Sequence, residues 1–236
     1  MSNFFKVFNA LFKELSMNKN GLNGYDLDCV LVSSMYAEQQ SAYLNSYETG
    51  LSLSTIKKLV EEYWEVYDRD DALKILIDLL HRNEDEYIDF VYKALEDESN
   101  YEALLKANLP TDEGAFEYYL DIYRSLGNTI PELIEENVIS HFSELKKIKD
   151  SGWNLGRAAF LARCCFELGH LSEEELKDYL GKTHTALKKY CGTWREYTIS
   201  YIFGRSIWGG SNNGGMIAIA DTLLNDDKSP LKNKAL

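Results

Sequence analysis

SGWNLGRAAFLARCCFELGHLSEEELKDYLGKTHTALKKYCGTWREYTISYIFGRSIW, residues 151–208, decides how the rest of the chain is read. It holds three of the four tryptophans, Trp153, Trp194 and Trp208, and sets Arg157, Arg163 and Arg205 among apolar residues. Steps of three or four residues put Trp153, Arg157, Leu161, Cys164 and Leu168 on one helical face. The other faces are apolar or small too, so a central helix is expected, with Gly156, Ala158, Ala159 and Ala162 letting a second helix approach closely. Ser151 is expected to cap this helix and Gly169 to end it. Ser172 with Glu175 has the spacing of a capping box, and Thr193 with Glu196 has it again. The last helix carries Trp194, Tyr197, Tyr201, Arg205 and Trp208 as a single stripe. A guanidinium buried in such a stripe requires a carboxylate or several carbonyls, because an unpaired buried charge costs several kcal/mol. Glu167, Asp221 or an acidic residue from the first two-thirds is the expected partner of Arg205.

Working outward, the same periodicity extends towards the N-terminus. Phe4, Phe5, Phe8, Leu11, Phe12 and Leu15 predict a helix docked on the core. A second helix is expected over about Asp26 to Tyr43. Ser52 or Ser54 is the expected cap of a third, carrying Ile56, Leu59, Val60, Tyr63 and Trp64. Asp68 is expected to cap the next, with Asp70 and Asp71 near its positive end. Leu73, Leu76, Ile77 and Leu80 form its apolar face, and Tyr87 to Leu95 predict another. Gly127 is expected to stop a helix begun near Thr111, and Pro131 to open one capped by Thr129 and running towards Lys149. No alternating strand pattern and no fixed-period repeat occurs, and proline is confined to three residues. The reading is an all-α, single-domain bundle over 1–236 of roughly nine or ten helices. Residues 1–59 form N-terminal helices, and a central Trp/Arg helix pair lies near the C-terminus.

Charge narrows the function. Residues 1–150 carry 14 Lys/Arg against 29 Asp/Glu, whereas residues 151–236 carry 11 against 9, so the net −13 resides in the first two-thirds. Such a surface repels nucleic acid and anionic lipid and attracts a basic protein. No nucleic-acid and no membrane role is expected, and no apolar run reaches the roughly 18 residues of a span. Cys29, Cys164, Cys165 and Cys191 form neither a disulfide framework nor a zinc pattern, and no HxxxH pair occurs. No metal or cofactor is expected, and reduced thiols fit a cytoplasmic protein. WGGSNNGG at 208–215 lacks the Lys-Ser/Thr of a phosphate loop and reads as a mobile loop.

GWNLGRAAFLARCCFELGHLSEEE followed by TWREYTISYIFGRSIWGG resembles the Domain of Unknown Function 1266 family. That family's pattern is a Trp-Asp-x-x-Arg helix, an Ala-Arg step, a Gly-Tyr-Ile-x-Glu turn, a Ser-Trp helix and a Gly-Arg-x-x-Trp end. YWEVYDRDDALKILIDLL resembles its upstream element and LLNDDKSP its tail, so the resemblance spans about 60–230. It implies an intracellular bacterial protein and supplies no activity. Asn154 stands where the family usually has Asp, and His170-Leu171 where it has Tyr-Ile. If that Asp pairs with an arginine, the pairing is weaker here.

No nucleophile elbow, Walker loop, HExxH or paired His/Cys arrangement is present. The leading expectation is a non-enzymatic protein-binding module, in its specific form an immunity protein neutralising a basic toxin. The alternative is an enzyme or small-ligand sensor. For it, Trp153, Arg157, Arg163, Trp194, Tyr201, Arg205 and Trp208 would line an anion-binding pocket. The same cluster also reads as a buried network that fixes helix packing.

Overall fold

Helix α9, Ser151–Glu167, lies at the centre of the molecule. Nearly every side chain it carries is buried, as its all-round apolar sequence requires. The computed structural model describes residues 14–82, 87–97, 99–207 and 213–236. The predicted Phe-faced N-terminal helix and Trp208 lie outside the described residues, as does most of the Gly-rich loop.

Twelve α-helices and no strand occur among the described residues, against the nine or ten expected. In chain order the first four are α1 (Gly24–Leu31), α2 (Ser34–Gln40), α3 (Leu53–Lys58) and α4 (Arg69–His81). Next come α5 (Tyr87–Glu96), α6 (Tyr101–Asn108), α7 (Glu113–Glu135) and α8 (Leu145–Ile148). After α9 follow α10 (Glu173–Tyr190), α11 (Trp194–Ile207) and α12 (Gly214–Asn225). Helix α9 packs on α2, α3, α4, α10 and α11. Helices α5, α6 and α7 form a side group that reaches the centre through the α7–α11 contact. Tyr92 of α5 also stacks near Phe203 of α11, with ring centroids 5.9 Å apart.

The α9–α11 crossing rests on missing side chains. A Cβ at Gly152 would meet Tyr197 O at 2.5 Å and Tyr201 N at 2.9 Å. At Gly204 it would collide with Trp153 Cβ and come within 2.9 Å of Asp150 Cβ. Ser200 locks the crossing by accepting from Gly152 N at 2.7 Å and donating to Lys149 O at 2.9 Å.

Several caps stand as predicted. Ser52 accepts from Thr55 N, Asp68 from Asp71 N, and Ser172 and Glu175 complete a reciprocal box. Thr193 accepts from Glu196 N at 3.1 Å, and Glu196 returns to Gly192 N rather than to its cap residue. Gly169, with φ +77°, takes the left-handed conformation that closes α9.

Other local expectations are corrected. The helix predicted from Asp26 to Tyr43 is split at Val32–Ser33, where the Ser33 hydroxyl donates to Val30 O and accepts from Arg163. Gly127 does not stop a helix and Pro131 does not begin one, because α7 runs unbroken through both. The ring of Pro131 crowds the carbonyl four residues back, which is that of Gly127, where backbone relaxation is easiest. That helix ends at Glu135 instead of continuing to Lys149, and Asn137 at φ +56° turns the chain. Ser151 is not a cap: its hydroxyl donates to Ile148 O at 2.6 Å.

Candidate functional site

The predicted cluster divides into three environments. Arg163 is fully buried and satisfied without a carboxylate. Its Nη2 donates to Tyr43 O at 2.7 Å and Glu48 O at 2.9 Å, its Nη1 to Ser33 Oγ at 2.8 Å, and its Nε to Tyr47 O at 3.3 Å. One turn on, Glu167 accepts from Thr49 N at 2.6 Å. Burial pushes the Arg163 guanidinium down to about 10, so it stays charged at neutral pH. These bonds bind the 43–49 segment to α9 and enclose the group.

Arg205 donates to Asn213 Oδ1 at 3.3 Å. Asn213 in turn donates to both carboxylate oxygens of Glu132, at 2.9 and 2.8 Å. The acidic partner from the first part of the chain is therefore Glu132, reached through an amide. Glu167 is engaged at Thr49 and Asp221 with Asn225, so neither is the partner expected for Arg205. Trp194 packs edge-on against Tyr197, with centroids 5.6 Å apart. The Tyr197 hydroxyl donates to Val32 O at 2.6 Å, tying α11 to the α1–α2 junction.

Trp153, Arg157 and Tyr201 do come together. The Arg157 guanidinium lies 4.3 Å from the Trp153 ring centroid and 5.3 Å from that of Trp64. It donates to Trp153 O and, at 3.0 Å, to Asn154 Oδ1. The Asn154 amide donates onward to Asp150 Oδ2 at 2.9 Å. A carboxylate thus reaches Arg157 through Asn154, one turn from where the family's usual Asp would stand. Burial pushes Asp150 above the ordinary aspartate range, against the opposing bond from Asn154. Tyr201 packs edge-on against Trp153 at 5.0 Å, and its hydroxyl is buried without a hydrogen-bond partner. The Trp153 indole N–H is likewise buried and unpartnered.

Arg157 lines a cleft of about 590 Å³. Helix α2 contributes Tyr36, Gln39 and Gln40, the end of α4 contributes Arg82, and α9 contributes Trp153 and Arg157. The remaining wall is Leu59, Tyr63 and Trp64. This wall is a π-helix over Leu59–Tyr63, closed by Val66 N donating to Val60 O at 3.1 Å. In the wider π turn residues five apart come onto one face, which puts Trp64 beside Leu59. Glu65, at φ +54°, follows it in the left-handed region that L side chains occupy at a cost.

The charged side chains in the described lining of the cleft are both cations, in an acidic chain. Two guanidiniums and no carboxylate line it among the described residues, although the sequence carries 38 Asp and Glu. Arg82 is paired at 2.5 Å with Asp78 on its own helix. Burial, with some repulsion from Arg82, pushes Arg157 down to about 10, which leaves it charged at neutral pH. Of the predicted cluster only Trp153 and Arg157 line the cleft; Tyr201 packs behind Trp153. Sequence periodicity placed Leu59, Tyr63 and Trp64 on one predicted helix and did not single out Tyr36, Gln39, Gln40 or Arg82. The one available signal was Trp64 itself, the fourth tryptophan, standing outside 151–208 in the upstream family-like segment.

Fold and site together define an all-α protein organised round a small-residue helix crossing, with a cationic aromatic cleft at its edge. The chain belongs to the family described as "Protein of unknown function (DUF1266)", which matches residues 60–236. No curated protein and no solved structure matches it. The family match begins inside the π-helix, so Tyr36, Gln39, Gln40 and Leu59 join the cleft from outside it. Among the described residues, no group of three or more His, Cys, Asp or Glu converges as a metal site. No helix among them is long and apolar enough to cross a membrane.

Proposed function

We propose that this protein is a small-ligand binder that takes an organic anion in the Arg82/Arg157 cleft. The observation that carries the reading is a cleft with two guanidiniums and no carboxylate in its described lining, set in a chain of net charge −13. A cleft of one charge sign concentrates counter-ions of the other. Its lining offers stacking, charge and amide hydrogen bonds, which is the chemistry of recognition. The test is a thermal-shift screen of small organic anions. At a hundredfold excess over Kd, a bound anion raises the melting temperature by about 5 °C or more. Arg157→Gln abolishes that rise. A screen in which no anion shifts the wild type counts against the reading.

A second reading keeps the basic protein partner, with toxin neutralisation as its specific form. Leu53, Tyr63 and Tyr67 are each more than half exposed beside Glu61, Glu62, Glu65, Asp68 and Asp70. Exposed aromatics among acidic groups suit a partner carrying Lys and Arg. A tagged pull-down that returns one basic protein at low salt and loses it at high salt supports this reading. An empty pull-down at low salt counts against it.

A further inference from the structure

Resting on the small-ligand reading, we infer that the cleft selects an anion carried on a planar aromatic ring. Three independent features meet here. The first is the wall. Tyr36, Tyr63, Trp64 and Trp153 line the cleft, so rings face it from α2, the π-helix segment and α9. Tyr36 is already packed on Phe160, and Trp64 and Trp153 flank Arg157. Tyr63 is different: it is 68 % exposed at the cleft and has no aromatic partner among the described ring pairs. An aromatic face held at a cleft mouth is a stacking surface for a flat apolar group.

The second feature is the donor chemistry of the lining. Arg157 and Arg82 supply guanidinium N–H groups. Trp153 lines the cleft and holds a buried indole N–H that reaches no acceptor. Guanidinium and indole N–H groups donate and do not accept, so their complement is a group that only accepts. A carboxylate or phosphate is such a group.

The third feature is the π-helix. A wide turn of this kind is rare and recurs at functional sites. Here it holds Leu59, Tyr63 and Trp64 in the same wall, and the left-handed Glu65 follows it. The conformational cost is spent on presenting two rings to a space that also holds two arginines. Ring and charge are therefore recognised together, and neither alone uses the whole cleft.

The test uses three probes on the full chain by isothermal titration: 2-naphthoate, its saturated counterpart decahydronaphthalene-2-carboxylate, and inorganic pyrophosphate. The expected order places 2-naphthoate about tenfold tighter than the saturated acid, the difference a good aromatic contact supplies. Trp64→Leu and Tyr63→Ser, the latter at a largely exposed position, each bring the two acids towards equal affinity. Arg157→Lys weakens both acids. Equal affinity for the two acids in the wild type, still weakened by Arg157→Lys, overturns the aromatic selectivity and leaves the anion site standing. Pyrophosphate binding tighter than either acid has the same consequence. Failure of all three probes to bind overturns both readings.

Discussion

Gly204 of α11 lies so close beneath Trp153 of α9 that a single methyl group at 204 has no room between them. The obstruction is the Cβ of Trp153 and that of Asp150, which cannot swing aside as the end of a flexible chain does. Gly204→Ala therefore forces the two central helices apart and costs about 1–3 kcal/mol. Gly215→Ala is the control. It sits in α12 with nothing within 4 Å of the added methyl, and is neutral or stabilising by roughly 0.5–1 kcal/mol. Urea unfolding of the two variants checks the pair. Equal midpoints would show that the crossing tolerates separation.

Arg163 is held by three backbone carbonyls and a hydroxyl, so its removal strands acceptors rather than a charge. Arg163→Met leaves those groups buried and unpaired, and the expected loss is about 3 kcal/mol or more. Arg163→Lys keeps the charge but cannot reproduce the planar fork, and falls between wild type and Met. Glu167→Gln still offers an acceptor to Thr49 N and costs about 1 kcal/mol. Denaturation midpoints of the three variants give the ranking. A silent Arg163→Met would mean that the 43–49 segment holds itself in place.

Asp150 sets a pH dependence whose sign follows from its burial. Its folded-state pKa is raised above the ordinary 3.8, first by desolvation. The unfolded chain therefore ionises this group earlier than the folded one as pH rises. Asp150 costs no stability below the ordinary value and lowers it above, until the folded group ionises too. Asp150→Asn, whose side-chain oxygen can still accept from Asn154, is expected to be more stable than wild type at pH 7. The two converge towards pH 3. Thermal melts across that range decide it, and a variant less stable at pH 7 would show that the Asp150 charge assists Arg157 more than burial penalises it.

The helices at the centre were legible because their signal is local. An all-round apolar helix with Gly and Ala along it has few alternatives, and α9 and α11 stand where that pattern put them. The cleft was less legible because its determinants are distributed. Leu59, Val60, Tyr63 and Trp64 fit an ordinary helical stripe, and nothing in the residue types announces a π turn. The partners of Arg163 are carbonyls, which every residue carries, so no sequence feature points to them. Gly127 and Pro131 misled for a related reason. Their punctuation is real, yet α7 packs against α5 and α11, and those contacts outweigh one missing N–H.

The four cysteines offer a direct check on burial. All are free and buried, and burial raises Cys29 to about 11 and Cys165 and Cys191 to about 12, with Cys164 raised further. A thiol reacts as the thiolate, so none should react at neutral pH while the protein is folded. Titration with a thiol reagent is expected to find no reactive group in the native protein and all four after denaturation. A fast-reacting native thiol would remove the purely structural account of the adjacent Cys164 and Cys165.

Asn154→Asp puts a carboxylate in direct reach of Arg157 and tests how the cleft is tuned. Asn154 stands between Arg157 and Asp150, accepting from the first and donating to the second. An aspartate there pairs directly with Arg157 but faces the Asp150 carboxyl with no proton to donate. Two carboxyls so placed cannot both ionise easily, so Asp150 is driven further towards its neutral form. The negative charge then sits at position 154, in direct contact with the guanidinium that lines the cleft, instead of one amide away on Asp150. The expected outcome is weaker binding of anions with the fold intact, by about threefold to tenfold for a partly solvated charge. Titration of 2-naphthoate into wild type and Asn154→Asp reads it directly. Unchanged affinity would place the anion's main contact at Arg82 instead, and Arg82→Gln would then carry the loss.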